Sequence, residues 1–140
     1  MAHTQRTSGP NTKANELLHR RLTVEDAARA HLVALERAPS VGFGSYIVSA
    51  PTPFAKEDCR DLKRDAAGVV GRLFPQAAEL YAQKGWQLPP TIGRIYDASR
   101  AERELGFRCA TTFETVLAAL RNGDAPPFIH DPSYTSPKLR

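Results

Sequence analysis

Cysteine is scarce in this chain: Cys59 and Cys109 are the only two among 140 residues. That density excludes a disulfide scaffold, and their separation matches no metal motif, so both are expected as reduced thiols with a structural role. Long apolar runs are missing too. No stretch approaches the ~20 residues that cross a bilayer, and the opening MAHTQRTSGPNTKAN lacks the apolar segment of a secretory signal. No membrane partner is expected, and a cytoplasmic location follows. Internal repeats are absent. Aromatic residues make up 8% of the chain and are not clustered with the basic ones, so a net charge of +4 does not by itself point to nucleic acid. In stretches such as EDCRDLKRD the bases alternate with acids. His3, His19 and His130 share no metal-ligand spacing.

What remains is the composition of one soluble domain, with 41% hydrophobic and 24% charged residues. Residues 1–14 carry no large apolar side chain after Met1 and include Gly9, Pro10 and Asn11, which predicts a flexible lead-in. Thr23 followed by Asp26 is a helix-capping pattern. A helix over Val24–Glu36 would set Val24, Ala27, Ala28, Leu32 and Leu35 on one face. Tyr46-Ile47-Val48, between glycines and prolines, predicts a strand at 45–49. Cys59, Leu62, Ala66, Val69, Val70 and Leu73 recur at helical spacing until Pro75, and a shorter helix over Gln76–Lys84 exits at Gly85. Arg94–Asp97 reads as a second strand. Ser99 with Glu102 caps a helix at 99–105 that Gly106 closes, and Thr111 with Glu114 starts a last helix that stops at Gly123. Residues 124–140, rich in proline, read as an irregular tail.

Four of these stretches, taken in order, resemble the latter part of the extended short-chain dehydrogenase family, over roughly residues 11–121. They are NTKANELLHRRLTVEDAARAHLVALE, with Val-x-Asp at the helix start, GFGSYIVSAPTPF, GWQLPPTIGRIYDASRAERELGF and FETVLAAL. Asp97-Ala-Ser99-Arg100-Ala101 followed by Leu105-Gly106-Phe107 is similar to the Asp-x-Ser-Lys-Ala…Leu-Gly-Trp signature of nucleotide-sugar epimerases, departing at Arg100 and Phe107. The resemblance implies a mixed α and β, helix-dominated fold. It would be the C-terminal substrate-binding lobe, residues 15–123, with about five helices and two or three short strands, the Rossmann half being absent. It further implies the nucleotide-sugar-binding portion of an NAD-dependent epimerase or dehydratase. Such a chain would be a fragment or split half without redox activity alone, working with a Rossmann-domain partner chain that holds the NAD(P). The alternative is a small helical protein-interaction module derived from that scaffold.

The residues themselves speak against catalysis in isolation. Dinucleotide loops set three glycines between a strand and a helix, whereas Gly42-Phe43-Gly44 lacks the third and precedes a strand. The family pairs a tyrosine with a lysine one helical turn on. Tyr134 and Lys138 have that spacing, but Pro137 interrupts them, and Tyr96 with Arg100 straddles a strand-to-helix boundary. No catalytic, cofactor or metal residue is assigned. His31, on the apolar helix face, is expected as a satisfied interfacial histidine. Trp86 and Phe54 are expected in the core rather than flanking a sugar. Recognition of a diphosphate favours guanidinium forks. Arg94, just before the Asp97 signature, and Arg20 and Arg21, before the Val-x-Asp helix, are the candidate substrate-binding residues. An apolar surface is expected to lie uncovered around Val24, Ala28, Leu32 and residues 46–48.

Overall fold

The computed structural model describes residues 9–128. In chain order it has α1 (Gly9–Glu16), α2 (Val24–Val41), a 3-10 turn (Lys56–Asp58), α3 (Cys59–Leu73), α4 (Ala77–Gln83), α5 (Ser99–Leu105) and α6 (Phe113–Asn122). The expected mixed α and β fold is therefore corrected: the described residues form helices and irregular chain, with no strand.

Both expected strands, 45–49 and 94–97, have found partners without forming a ladder. The Tyr96 N–H donates to the His19 carbonyl at 2.8 Å, and the Ala50 N–H to the Arg21 carbonyl at 2.8 Å. A ladder needs successive bonds between the same two segments. Side chains take the neighbouring carbonyls instead: His19 Nδ1–H binds that of Arg94 at 3.0 Å, Arg100 that of Ser45 at 3.3 Å, and the Cys109 thiol that of Ser49 at 3.3 Å.

Helix α1 begins inside the stretch read as lead-in. It carries no large apolar residue, so what holds it is polar. The Asn11 and Asn15 amides donate to the Gln87 carbonyl at 3.0 and 2.9 Å, and Asn11 Oδ1 accepts from the Gln87 N–H at 3.1 Å. Ala14, fully buried, allows the close approach. Residues 1–8 and most of the proline-rich tail lie outside the described residues.

Helix α3 is broken at Asp65, whose φ and ψ are −151° and 74°. The Ala66 N–H turns to the Pro90 carbonyl at 3.0 Å, and the Leu62 carbonyl takes the Ile92 N–H at 2.8 Å. Asp65 Oδ1 then accepts the Gly68 N–H at 2.9 Å, capping the second half. The break thus threads residues 90–92 along the helix and buries Ile92.

Apolar packing falls into two clusters. The larger joins α1, the turn after it, α3, α4 and α6 through Ala14, Leu18, Leu62, Val70, Tyr81 and Phe113, with Tyr81 edge-on to Trp86 at 5.4 Å and Phe74 edge-on to Phe113 at 5.1 Å. The smaller sets Ala30 of α2 against Ala101 and Leu105 of α5, with Phe107.

Thr23 caps α2 as expected, accepting the Asp26 N–H at 3.3 Å. Asp26 is buried and does more than cap. Its carboxylate accepts the N–H groups of Ala110 at 2.8 Å and Thr111 at 2.9 Å, together with Arg29 at 3.1 Å. Because the Thr111 N–H is spent there, α6 starts one residue later than expected, with Thr112 and Thr115 as a reciprocal cap. The Ser99 and Glu102 box is likewise replaced: Asp97 Oδ1 accepts the Ser99 N–H at 2.9 Å.

Asp26→Ala strands two part-buried N–H donors and removes the carboxylate that ties them to α2, and is expected to lower the unfolding free energy by about 1–3 kcal/mol in urea titration; no measurable change would refute the clamp. The buried Tyr81 hydroxyl has no hydrogen-bond partner. Tyr81→Phe is therefore expected to melt at or above the wild-type temperature, since it deletes an unsatisfied polar group and keeps the ring.

Candidate functional site

The turn after α1 gathers the best-formed charged constellation. The Glu16 carbonyl accepts the N–H groups of His19, Arg20 and Arg21 at 3.2, 3.0 and 3.2 Å, so the chain coils tightly over the helix end. This coil brings both arginines back to the Glu16 side chain. Arg20 Nη2 meets Oε1 and Arg21 Nε meets Oε2, each at 2.6 Å. The carboxylate is 13% exposed, whereas the arginine side chains are 46% and 62% exposed.

Beside this clasp opens a cavity of about 230 Å³, with Lys13, Glu16 and Arg21 on its wall and Leu17, Leu22, Val24 and Phe128 as apolar lining. It is a charged pocket with a greasy floor, large enough for one ring or a diphosphate rather than a whole nucleotide sugar.

Of the three arginines expected to bind substrate, the structure brings Arg20 and Arg21 together and leaves Arg94 apart. Arg94 is exposed and does not line this cavity; its backbone carbonyl is bound to His19. Sequence reasoning missed Glu16 and Lys13. Their spacing, with Arg20 four residues after Glu16, is that of a charged helical face, but the stretch before residue 15 was expected to be unstructured.

Arg100 stacks over the Tyr46 ring at 5.0 Å, not against Tyr96, and both Arg100 and the Tyr46 hydroxyl bond Glu104, at 3.0 and 2.8 Å. The hydrogen bond to Glu104 pushes the Tyr46 phenol above its ordinary pKa, the reverse of what a proton-donating redox tyrosine needs. Tyr134 and Lys138 lie outside the described residues.

Gly42-Phe43-Gly44 is an exposed loop with Phe43 95% accessible, following α2 instead of preceding a helix. It does not fit a dinucleotide pyrophosphate. Among the described residues no group of His, Cys, Asp or Glu is placed to hold a metal ion, and no helix is long and apolar enough to cross a membrane.

The remaining candidates have structural partners. His31, exposed, donates from Nδ1 to the Ala27 carbonyl at 2.7 Å. Trp86 and Phe54 pack into the larger core. Burial, reinforced by the Asp26 charge, pushes the Cys109 thiol up to about 11, which keeps it an unreactive donor to Ser49. Comparison with models of known protein families, with curated proteins and with solved structures finds no match to this chain.

His19 joins this turn to residues 94–96, and burial lowers its pKa below the ordinary 6.5. The fold thus favours neutral imidazole, while the unfolded chain takes up a proton first as pH falls. Stability is expected to hold above pH 6.5, decline below it, and level off once the folded form also protonates. Urea midpoints from about pH 8 to about pH 5, on both sides of the ordinary histidine pKa, test this: His19→Gln should flatten part of the decline, and an identical slope in the variant would assign it to other groups.

Proposed function

We propose that this chain is the substrate-side lobe of a nucleotide-sugar epimerase or dehydratase, docking through α2 onto a Rossmann lobe that carries the NAD(P) and the redox tyrosine. The observation that supports this reading is the bare face of α2. Val24, Leu32 and Leu35, aligned along one side of the helix, are 68%, 61% and 72% exposed. The opposite side already has its partner in α5, through Ala30 and Val33. A helix that is apolar on two sides and covered on one calls for a second surface. Phe43 and Ile47, 95% and 53% exposed, are further large apolar side chains left bare just after it in the chain.

The charged clasp adjoins this face. Val24 begins the bare stripe and also lines the cavity that holds Arg21 and Lys13. A ligand there would sit at a junction between lobes, where ligand sites commonly form. The resemblance in the segments around Val24–Asp26 and Asp97–Phe107 supports the same reading. In this arrangement the chain grips an anionic ligand and leaves hydride transfer to its partner, in the cytoplasm. The helix-only architecture supports a second reading, a small helical interaction module that uses the same face without a ligand.

Leu32→Lys with Leu35→Lys tests the docking face, because both positions are exposed and the isolated fold should keep its melting temperature. The expected result is loss of binding to a Rossmann domain with a glycine-rich loop supplied as a separate chain, and loss of NADH-linked turnover of nucleotide sugar in the mixture. The unmixed chain should show no turnover; a rate that vanishes in Tyr46→Phe would overturn the proposal.

A further inference from the structure

We infer that the Glu16 carboxylate occupies an oxyanion site of the chain's own making, from which a phosphoryl oxyanion displaces it. The inference rests on placing a ligand at the α1–α2 junction, as the proposed function does, but it needs no partner lobe.

Arg20 and Arg21 each present one N–H to a different oxygen of Glu16, at 2.6 Å, which is how two guanidinium groups hold any planar or tetrahedral oxyanion. Lys13, on the same cavity wall, has no ion-pair partner among the described residues. Arg20 and Arg21 pair with the single carboxylate of Glu16 while Lys13 lines the cavity beside them, an excess of positive charge that a dianion would neutralise.

The exchange is energetically accessible. Both arginine side chains are about half exposed, so their pairs with Glu16 are screened by water and each contributes little. A dianion gains more from three cations than the monoanionic Glu16 does from two. The carbonyl end of α1 opposes anions with its partial negative charge, which keeps the affinity moderate. Leu17, Leu22 and Phe128 offer an apolar wall to whatever is esterified to the phosphate. Glu16 would then act as a latch, holding both guanidiniums in register while the site is free of ligand.

The full chain is titrated with inorganic pyrophosphate and, separately, with uridine diphosphate, by calorimetry at low salt. Glu16→Gln keeps the shape of the side chain and removes the competitor, and is expected to tighten binding roughly threefold to fivefold. Arg20→Gln with Arg21→Gln should abolish it. Equal affinity for the two probes assigns the site to free phosphate, and tighter nucleotide binding assigns it to a phosphate ester seated against Phe128. Unchanged affinity in Glu16→Gln, or a gain that survives loss of both arginines, overturns the inference. Should Glu16→Gln fail to fold, the wild-type Arg21 Nε–H resonance decides: movement with pyrophosphate supports displacement, and a stationary signal at saturation refutes it. Pyrophosphate binding with no Rossmann docking would reject the proposed function and leave this site standing.

Discussion

The buried Asp26 carboxylate gathers donors from two distant parts of the chain: Thr23 and Arg29 at the start of α2, and the backbone of Ala110 and Thr111 before α6. Much else depends on this arrangement. It fixes where α2 begins, how far the turn after α5 travels, and which threonine caps α6. A buried carboxylate is costly unless its oxygens are satisfied, and here both are, so the same group that would penalise a misfolded chain locks this one. By holding α2 at its first turn it also leaves the bare stripe of Val24, Leu32 and Leu35 facing away from both cores.

Two further backbone devices organise the irregular chain that no sheet supports. The Asn11 and Asn15 clasp on Gln87 turns an apolar-poor segment into a packed helix. The break at Asp65 opens α3 to residues 90–92 and so sets the path of the chain toward Arg94 and Asp97. The turn of His19 and Arg21 meets Tyr96 and Ala50, which are far from it in sequence. The result resembles the start of a sheet without a ladder, with side chains of His19, Arg100 and Cys109 bonded to neighbouring carbonyls.

The functional reading joins two surfaces that meet at Val24, one apolar and one cationic. The apolar stripe has the length of a helix face and no cover; the cationic clasp has a cavity beside it and an internal carboxylate within it. In the proposed arrangement they bind an anion and a protein surface together. The Tyr46 phenol donates to Glu104, which raises its pKa above the ordinary value.

By itself the sequence determined the helices that carry their own periodicity and stop signals. Leu62, Val69 and Val70, Phe113, Val116 and Leu120, and the left-handed Gly85, Gly106 and Gly123 were all legible, because the cause of each lies within one or two helical turns. It also made Arg20 and Arg21 visible as a pair. Only the tertiary structure decided whether β-favouring Tyr46-Ile47-Val48 became a strand, because a strand exists only in its partner's hydrogen bonds. Helix α1, the partnership of Tyr46 with Arg100, and the setting of Glu16 between two arginines were likewise decided there. Each depends on donors and acceptors brought together by folding, and sequence spacing carries no record of them.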